Sequence, residues 1–343
     1  MQTKNNDRPT VICDILMSLD GKISGAFLSA PQAAPALKAY NELRGTFGCR
    51  ATLYGTTTMA ETDPPTPAPT APAAETPAET PAPTAPAAEP AEPVYDVTPG
   101  SETYRDFTLD NIYHSDIGDI HFNLYLPESY DGGTPYALFI TLPGWQGLYF
   151  RGVGVNLQTE TFGFAAQGYV PDMIVAAPQL SGWDEQSGDE AIALTEYLLD
   201  AYNIDPGRVY IEGYSGGGET LSWVLGKRPD LYAAALLGAT RWDGAYQPVV
   251  DDRTPVYLAV GEGDEYYGPE PLTEAYATLQ DLYRQAGLTD AEIDELLVLD
   301  VKDADYFTAR GLTNQHGGGQ AFAEDAAIMG WLFGRDPNAQ SPE

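Results

Sequence analysis

Val209-Tyr210-Ile211-Glu212-Gly213-Tyr214-Ser215-Gly216-Gly217 is the stretch whose reading decides the fold. The apolar run Val209-Tyr210-Ile211 reads as a buried strand, and Glu219 to Leu225 reads as a helix. Between them stands Gly213-Tyr214-Ser215-Gly216-Gly217, a G-x-S-x-G pattern at a strand-to-helix turn. Such a turn is tight, and glycines flank the serine because a Cβ there would clash. The turn lifts the Ser215 hydroxyl out of the sheet and makes it a candidate nucleophile.

A serine on this kind of elbow takes its acid and then its base from later in the chain. Of the three histidines, His114 and His121 precede Ser215, which leaves His316 as the candidate base. It lies in Asn314-Gln315-His316-Gly317-Gly318-Gly319, between an apolar run (Leu296 to Val301) and a closing helix expected over Ala321 to Phe333. The acid should follow a strand between the two. Pro255 to Val260 reads as that strand, and Gly261-Glu262-Gly263-Asp264-Glu265 follows it, so Asp264 is the first candidate. Glu262 and Glu265 offer the same chemistry nearby, and Asp243, after the run Ala233 to Leu237, is the other placement.

The chemistry explains why these residue types belong together. A serine hydroxyl is a poor nucleophile until an adjacent base takes its proton. His316 would do so, and Asp264 would hold the imidazole in the right tautomer. An oxyanion then needs two backbone donors. Gly216, directly after the nucleophile, is one; the loop Pro143-Gly144-Trp145-Gln146-Gly147, after the strand Ala137 to Leu142, offers Trp145, with Gln146 next. Trp145, Tyr149, Trp183, Tyr214 and Tyr266 are candidates for a pocket wall.

From about Tyr104 to Gly334 the chain resembles the secreted esterase and prolyl-oligopeptidase-like branch of the α/β-hydrolases. The residues that carry the resemblance are Leu142-Pro143-Gly144-Trp145, Asp205-Pro206-Gly207-Arg208-Val209-Tyr210, the elbow itself, Gly261-Glu262-Gly263-Asp264 and His316. It implies a serine hydrolase with a Ser-Asp-His triad and leaves ester and peptide substrates both open. Where many relatives have a His before the oxyanion-loop glycine, this chain has Pro143. A serine esterase acting through an acyl-enzyme is the first expectation, because the sequence has no propeller domain that would select oligopeptides. A serine peptidase of the same fold is the alternative.

The chain divides by composition. Residues 1–59 carry a net charge of +2 and residues 60–93 one of −6, while residues 94–343 carry 11 basic and 40 acidic side chains, a net of −29. Residues 60–93 contain only Ala, Pro, Thr, Glu and one Asp, and are expected to be a disordered, partly polyproline II linker. Residues 94–343 have the size of one α/β domain. Their apolar runs alternate with helical stretches, which argues a mostly parallel sheet with helices on both faces. Phe107 to Leu126 alternates instead and reads as antiparallel strands at the sheet edge.

The strongly acidic charge argues against nucleic acid and anionic lipid as partners. No metal-ligand spacing and no phosphate loop is present, and no cofactor is expected. Cys13 and Cys49 both precede the linker, so no disulfide framework is available to the hydrolase segment. No stretch is apolar enough for a transmembrane helix. The hydrolase segment is of extracytoplasmic type, yet the first residues lack the basic and apolar regions of a signal peptide.

Pro9 to Ile23, with Val11-Ile12-Cys13-Asp14-Ile15 at its centre, resembles the first strand of the riboflavin-biosynthesis reductase domain, of dihydrofolate-reductase-like fold. Ala51 to Met59 resembles that domain's second strand and nucleotide turn. The match ends near Glu61, and two strands with one helix bury too little surface to fold well alone. Residues 1–59 are therefore expected to be a truncated αβ fragment, with nicotinamide-dependent reduction the least favoured function.

Overall fold

The computed structural model describes residues 96–340, which belong to one unit spanning 88–343. The readings made on residues 1–93, the linker and the reductase-like fragment included, lie outside the described residues.

One sheet holds ten strands: β1 (Val97–Thr98), β2 (Glu102–Tyr104), β3 (Phe107–Ser115), β4 (Gly118–Tyr125), β5 (Tyr136–Leu142), β6 (Met173–Pro178), β7 (Ile204–Tyr214), β8 (Ala234–Gly238), β9 (Val256–Gly261) and β10 (Leu297–Lys302). Their order is β1-β3-β4-β6-β5-β7-β8-β9-β10, with β2 also paired to β3. The pairs from β6 through β10 are parallel, whereas β3, β4 and β6 pair antiparallel. The alternation over 107–126 thus forms the antiparallel hairpin β3–β4, with two short strands added outside it.

The helices are α1 (Asn156–Thr159), α2 (Phe162–Gln167), α3 (Glu185–Ala201), α4 (Gly216–Leu225), α5 (Gln247–Asp252), α6 (Glu270–Gln285), α7 (Asp290–Leu296), α8 (Ala304–Thr308), α9 (Gly319–Ala323) and α10 (Ala326–Phe333). All seven residues of β5 are buried, as expected of a strand covered on both faces. Side-chain alternation sorts the core into two layers. Leu138, Ile140 and Leu142 share one layer with Leu194 and Leu198 of α3, Leu221 of α4 and Leu279 of α6. Ala137, Phe139 and Tyr210 share the other with Phe162 of α2 and Met329, Leu332 and Phe333 of α10.

The expected closing helix over 321–333 is instead two helices, α9 and α10. The chain breaks at Asp325, whose carboxylate accepts the Ala327 amide at 2.8 Å and caps the second helix. The same carboxylate meets Lys302 of β10 at 3.0 Å, which ties the cap to the sheet.

Where the continuously buried stretch of β7 begins, Arg208 makes a two-sided charge cluster. Its Nε donates to Asp336 Oδ2 at 2.9 Å, and its two terminal nitrogens donate to both oxygens of Asp172 at 2.9 Å. Asp172 precedes β6 and Asp336 follows α10, so one side chain joins three segments distant in sequence. The Arg208 bonds hold the Asp172 carboxyl below its ordinary value.

The strand order reverses at β5, with β6 on one side and β7 on the other. In open α/β sheets the crevice at such a reversal, beyond the carboxyl ends of the strands, is where ligands bind. The β5–β7 register pairs Leu142 with Gly213, which sets the loop after β5 beside the elbow after β7.

Candidate active site

Ser215 stands between β7 and α4 with φ 56° and ψ −123°, a backbone region that non-glycine residues rarely occupy. Its amide donates to Gly238 O at 2.8 Å, which pins the turn to β8. The glycines are needed for closeness. A Cβ on Gly213 would lie 2.3 Å from Gly217 O, and one on Gly217 would lie 2.4 Å from Leu142 O.

The structure brings Ser215, His316 and Asp264 together from three loops. Ser215 Oγ lies 3.0 Å from His316 Nε2, and His316 Nδ1 lies 2.8 Å from Asp264 Oδ2. The other Asp264 oxygen accepts the amides of Tyr266 at 3.0 Å and Tyr267 at 2.8 Å. Burial works to raise the Asp264 carboxyl, but the bonds from His316 and these amides outweigh it and hold the group below its ordinary value. The anion is thus stable in the place where an imidazolium would need it.

The alternative acids have other partners. Asp243 accepts from Arg241 Nε at 3.0 Å, and Glu262 accepts the Ala304 amide at 2.9 Å. Glu265 holds the histidine loop: one of its oxygens accepts the amides of Gln315 at 2.8 Å and His316 at 2.9 Å. Gln315 Oε1 in turn accepts the Gly263 amide at 2.8 Å, and the Tyr214 hydroxyl donates to His316 O at 2.8 Å. Neither Gln315 nor Glu265 stood out in the sequence as a support for the histidine. The signal was only their adjacency to His316 and Asp264.

Beyond β5, Trp145–Gly147 form a 3₁₀ turn closed by the Gly147 amide on Gly144 O at 2.9 Å. Trp145 N lies 3.6 Å from the point where a Cβ on Gly216 would stand. Trp145 and Gly216 both open helical turns, so neither amide has a preceding turn to bond. Gly144 N is held at 2.7 Å by Glu160 Oε1, from the segment between α1 and α2. Nothing in the sequence marked this residue. Burial is the main influence on Glu160 and pushes its carboxyl up to about 8, the Gly144 amide opposing only in part. Just beneath, Glu212 of β7 is buried with one oxygen on Thr141 Oγ1 at 2.9 Å and the other without a hydrogen-bond partner. Burial, and then the neighbouring Glu160, drive its carboxyl well above the ordinary range.

A cavity of about 560 Å³ opens over Ser215. Trp145, Trp183, Tyr214 and Tyr266 line it as the sequence led us to expect, joined by Tyr267 and Glu160. Tyr149 does not line it. The 3₁₀ turn Tyr149–Arg151 carries its ring away to stack on His121 of β4, centroids 3.7 Å apart, and His121 is itself held by Asp110 at 2.7 Å. Among the described residues no group of three or more His, Cys, Asp or Glu is placed to hold a metal ion, and no helix is long and apolar enough to cross a membrane.

Residues 181–284 match the prolyl oligopeptidase family, a span that includes Ser215 and Asp264 and stops short of His316. A solved thermostable esterase is similar with a TM-score of 0.54 and 21% identity, over 68% of this chain and 64% of that one. This is an α/β-hydrolase fold. Oligopeptidase B from Leishmania major is similar at a TM-score of 0.43 and 16% identity, over 69% of this chain and 37% of that one. The chain therefore spans less than two thirds of the length of either protein. None of the curated proteins matches the sequence. The family match and the α/β-hydrolase fold support a serine hydrolase of prolyl-oligopeptidase-like type. The reductase resemblance of residues 9–59 finds no such support.

Proposed function

We propose that this α/β-hydrolase cleaves carboxylic esters through an acyl-enzyme on Ser215. The observation that carries the reading is the unbroken path from Ser215 Oγ to His316 Nε2 at 3.0 Å and from His316 Nδ1 to Asp264 at 2.8 Å. His316 takes the serine proton as Oγ attacks the carbonyl carbon, then gives it to the leaving alcohol. Asp264, held as an anion, keeps Nδ1 protonated and stabilises the imidazolium. The Gly216 and Trp145 amides receive the oxyanion. Water then repeats the sequence on the acyl-enzyme. Support for a small substrate comes from the cavity, whose volume is that of a small-molecule site. An alcohol also leaves more readily than an amine, so an ester asks less of the acid.

The prolyl oligopeptidase match favours a second reading, a serine peptidase using the same residues. A fluorophosphonate should label Ser215 in the native protein and not in Ser215→Ala. That substitution should cost roughly 10⁴–10⁶ in kcat. A p-nitrophenyl ester and a p-nitroanilide of the same acyl group separate the two readings. Turnover of the ester alone supports an esterase, and comparable turnover of both supports the peptidase. Retention of turnover by Ser215→Ala would remove both.

A further inference from the structure

Glu160 is a carboxyl without a counter-charge set against the nucleophile. A single point beside Gly144, where a Cβ would stand, lies 3.0 Å from Glu160 Oε1 and 3.7 Å from Ser215 Cβ. Glu160 and Ser215 line the same cavity. Among the residues that line the cavity there is no Lys or Arg. Arg151 stacks on the Trp145 ring at 4.4 Å, and Glu160, bonded to the Gly144 amide, has the carboxyl of Glu212 rather than a cation as its charged neighbour. The wall beside it is aromatic and open: Trp145 is 47% exposed and Trp183 38%. Ring faces attract cations, and a desolvated carboxyl without a counter-ion gains most from one. The hydrolase segment as a whole, at −29, draws cations toward it.

Glu160 is tied to Gly144, on the loop after β5 that also carries Trp145, and all three line the cavity over Ser215. We propose that Glu160, with Trp145 and Trp183, is a specificity site for substrates that carry a cationic amine. This rests on the serine hydrolase reading and deepens it.

The test compares two alkyl phosphonofluoridates identical except at the chain end, 4-trimethylammoniobutyl in one and 5,5-dimethylhexyl in the other. In each, a Ser215 Oγ–phosphorus bond forms, fluoride leaves, and His316 takes the serine proton. The second-order labelling rates are measured for the native protein and for Glu160→Gln, which keeps an acceptor for the Gly144 amide. Intrinsic reactivity cancels when the cationic-to-neutral ratio is compared between the two proteins. The ratio should fall about ten-fold in Glu160→Gln. An equal ratio in both proteins overturns the inference while leaving the hydrolase reading in place. Should Glu160→Gln fail to fold, tetramethylammonium ion decides in its stead on the native protein. Competitive slowing of labelling by the neutral probe at millimolar concentration supports the site, and no slowing overturns it. If neither probe labels the native protein, the serine hydrolase reading fails and this inference with it.

Discussion

The two ends of the buried stretch of β7, Arg208 to Tyr214, are built on opposite principles. At the entry, Arg208 is buried, and each of its bonds ends on a carboxylate of Asp172 or Asp336. At the exit, Ser215 sits in a sparsely populated backbone region, Glu212 has a buried oxygen without a partner, and Glu160 has no counter-ion. Five residues along the same strand separate Arg208 from Tyr214, the last before the serine. Satisfied charge at one end anchors the strand; tension at the other end is tolerable because of it. The lesson is that the exit of β7, beside the cavity, keeps a strained backbone and buried carboxyls without counter-ions, whereas its entry pairs every charge.

The largest expected effect that sharpens this contrast is on Asp264. Asp264→Asn should lower kcat on the order of 10⁴-fold by favouring the wrong histidine tautomer, with little loss of stability. Asp243→Asn, whose side chain meets Arg241 and Glu219 rather than His316, should change kcat by less than about two-fold. Steady-state turnover of a common ester by both variants decides, and the reverse pattern would move the acid to Asp243.

At the other end the effect should fall on stability. Arg208→Met leaves Asp336, whose side chain is fully buried, as an uncompensated charge. A loss of about 3–5 kcal/mol is expected, with kcat of the folded protein at low temperature near that of the native chain. Urea unfolding and turnover, measured side by side, test this. A variant with native stability and depressed turnover would break the division between the two ends.

The smallest effect is one of pH. The Glu160 carboxyl is raised in the folded protein from an ordinary 4.5 to about 8. A raised acid stabilises the fold fully below its unfolded value and loses that contribution as pH climbs through the folded one. Glutamine cannot ionise. Glu160→Gln should therefore gain on the native protein between pH 5 and pH 9, by on the order of 1 kcal/mol given partial solvent access. Tm measured across that range is the check. A gap that does not change with pH would mean that the carboxyl ionises without cost.

Much of this was legible in the sequence because local and global signals agree. The apolar runs that became β5, β6, β8 and β9 are continuous, as strands buried on both faces must be, and the glycines of the elbow are forced by backbone contacts under 2.5 Å. His316 stood out because no other histidine follows Ser215. What escaped was set by tertiary placement. Asp325 sits inside an apolar, helix-like run, and nothing in that run tells that its carboxylate turns back to cap α10 while meeting Lys302. Tyr149 is close to the oxyanion loop in sequence, yet a 3₁₀ turn directs it to His121. Glu160 lies 55 residues before the serine, and only the packing of the α1–α2 segment against the loop after β5 brings it to Gly144.

Ser215 holds a φ of 56° that glycine would adopt freely. A non-glycine residue in such a region costs on the order of 1–3 kcal/mol. Replacing it with glycine would relieve the turn and remove the hydroxyl in one step, giving a sturdier and inert molecule. Durability and reactivity are therefore rivals for this one position, and a search among variants for heat resistance alone would drift toward silencing the hydrolase. Any such search needs turnover as a second criterion at residue 215, whereas at Arg208 the thermal criterion is enough.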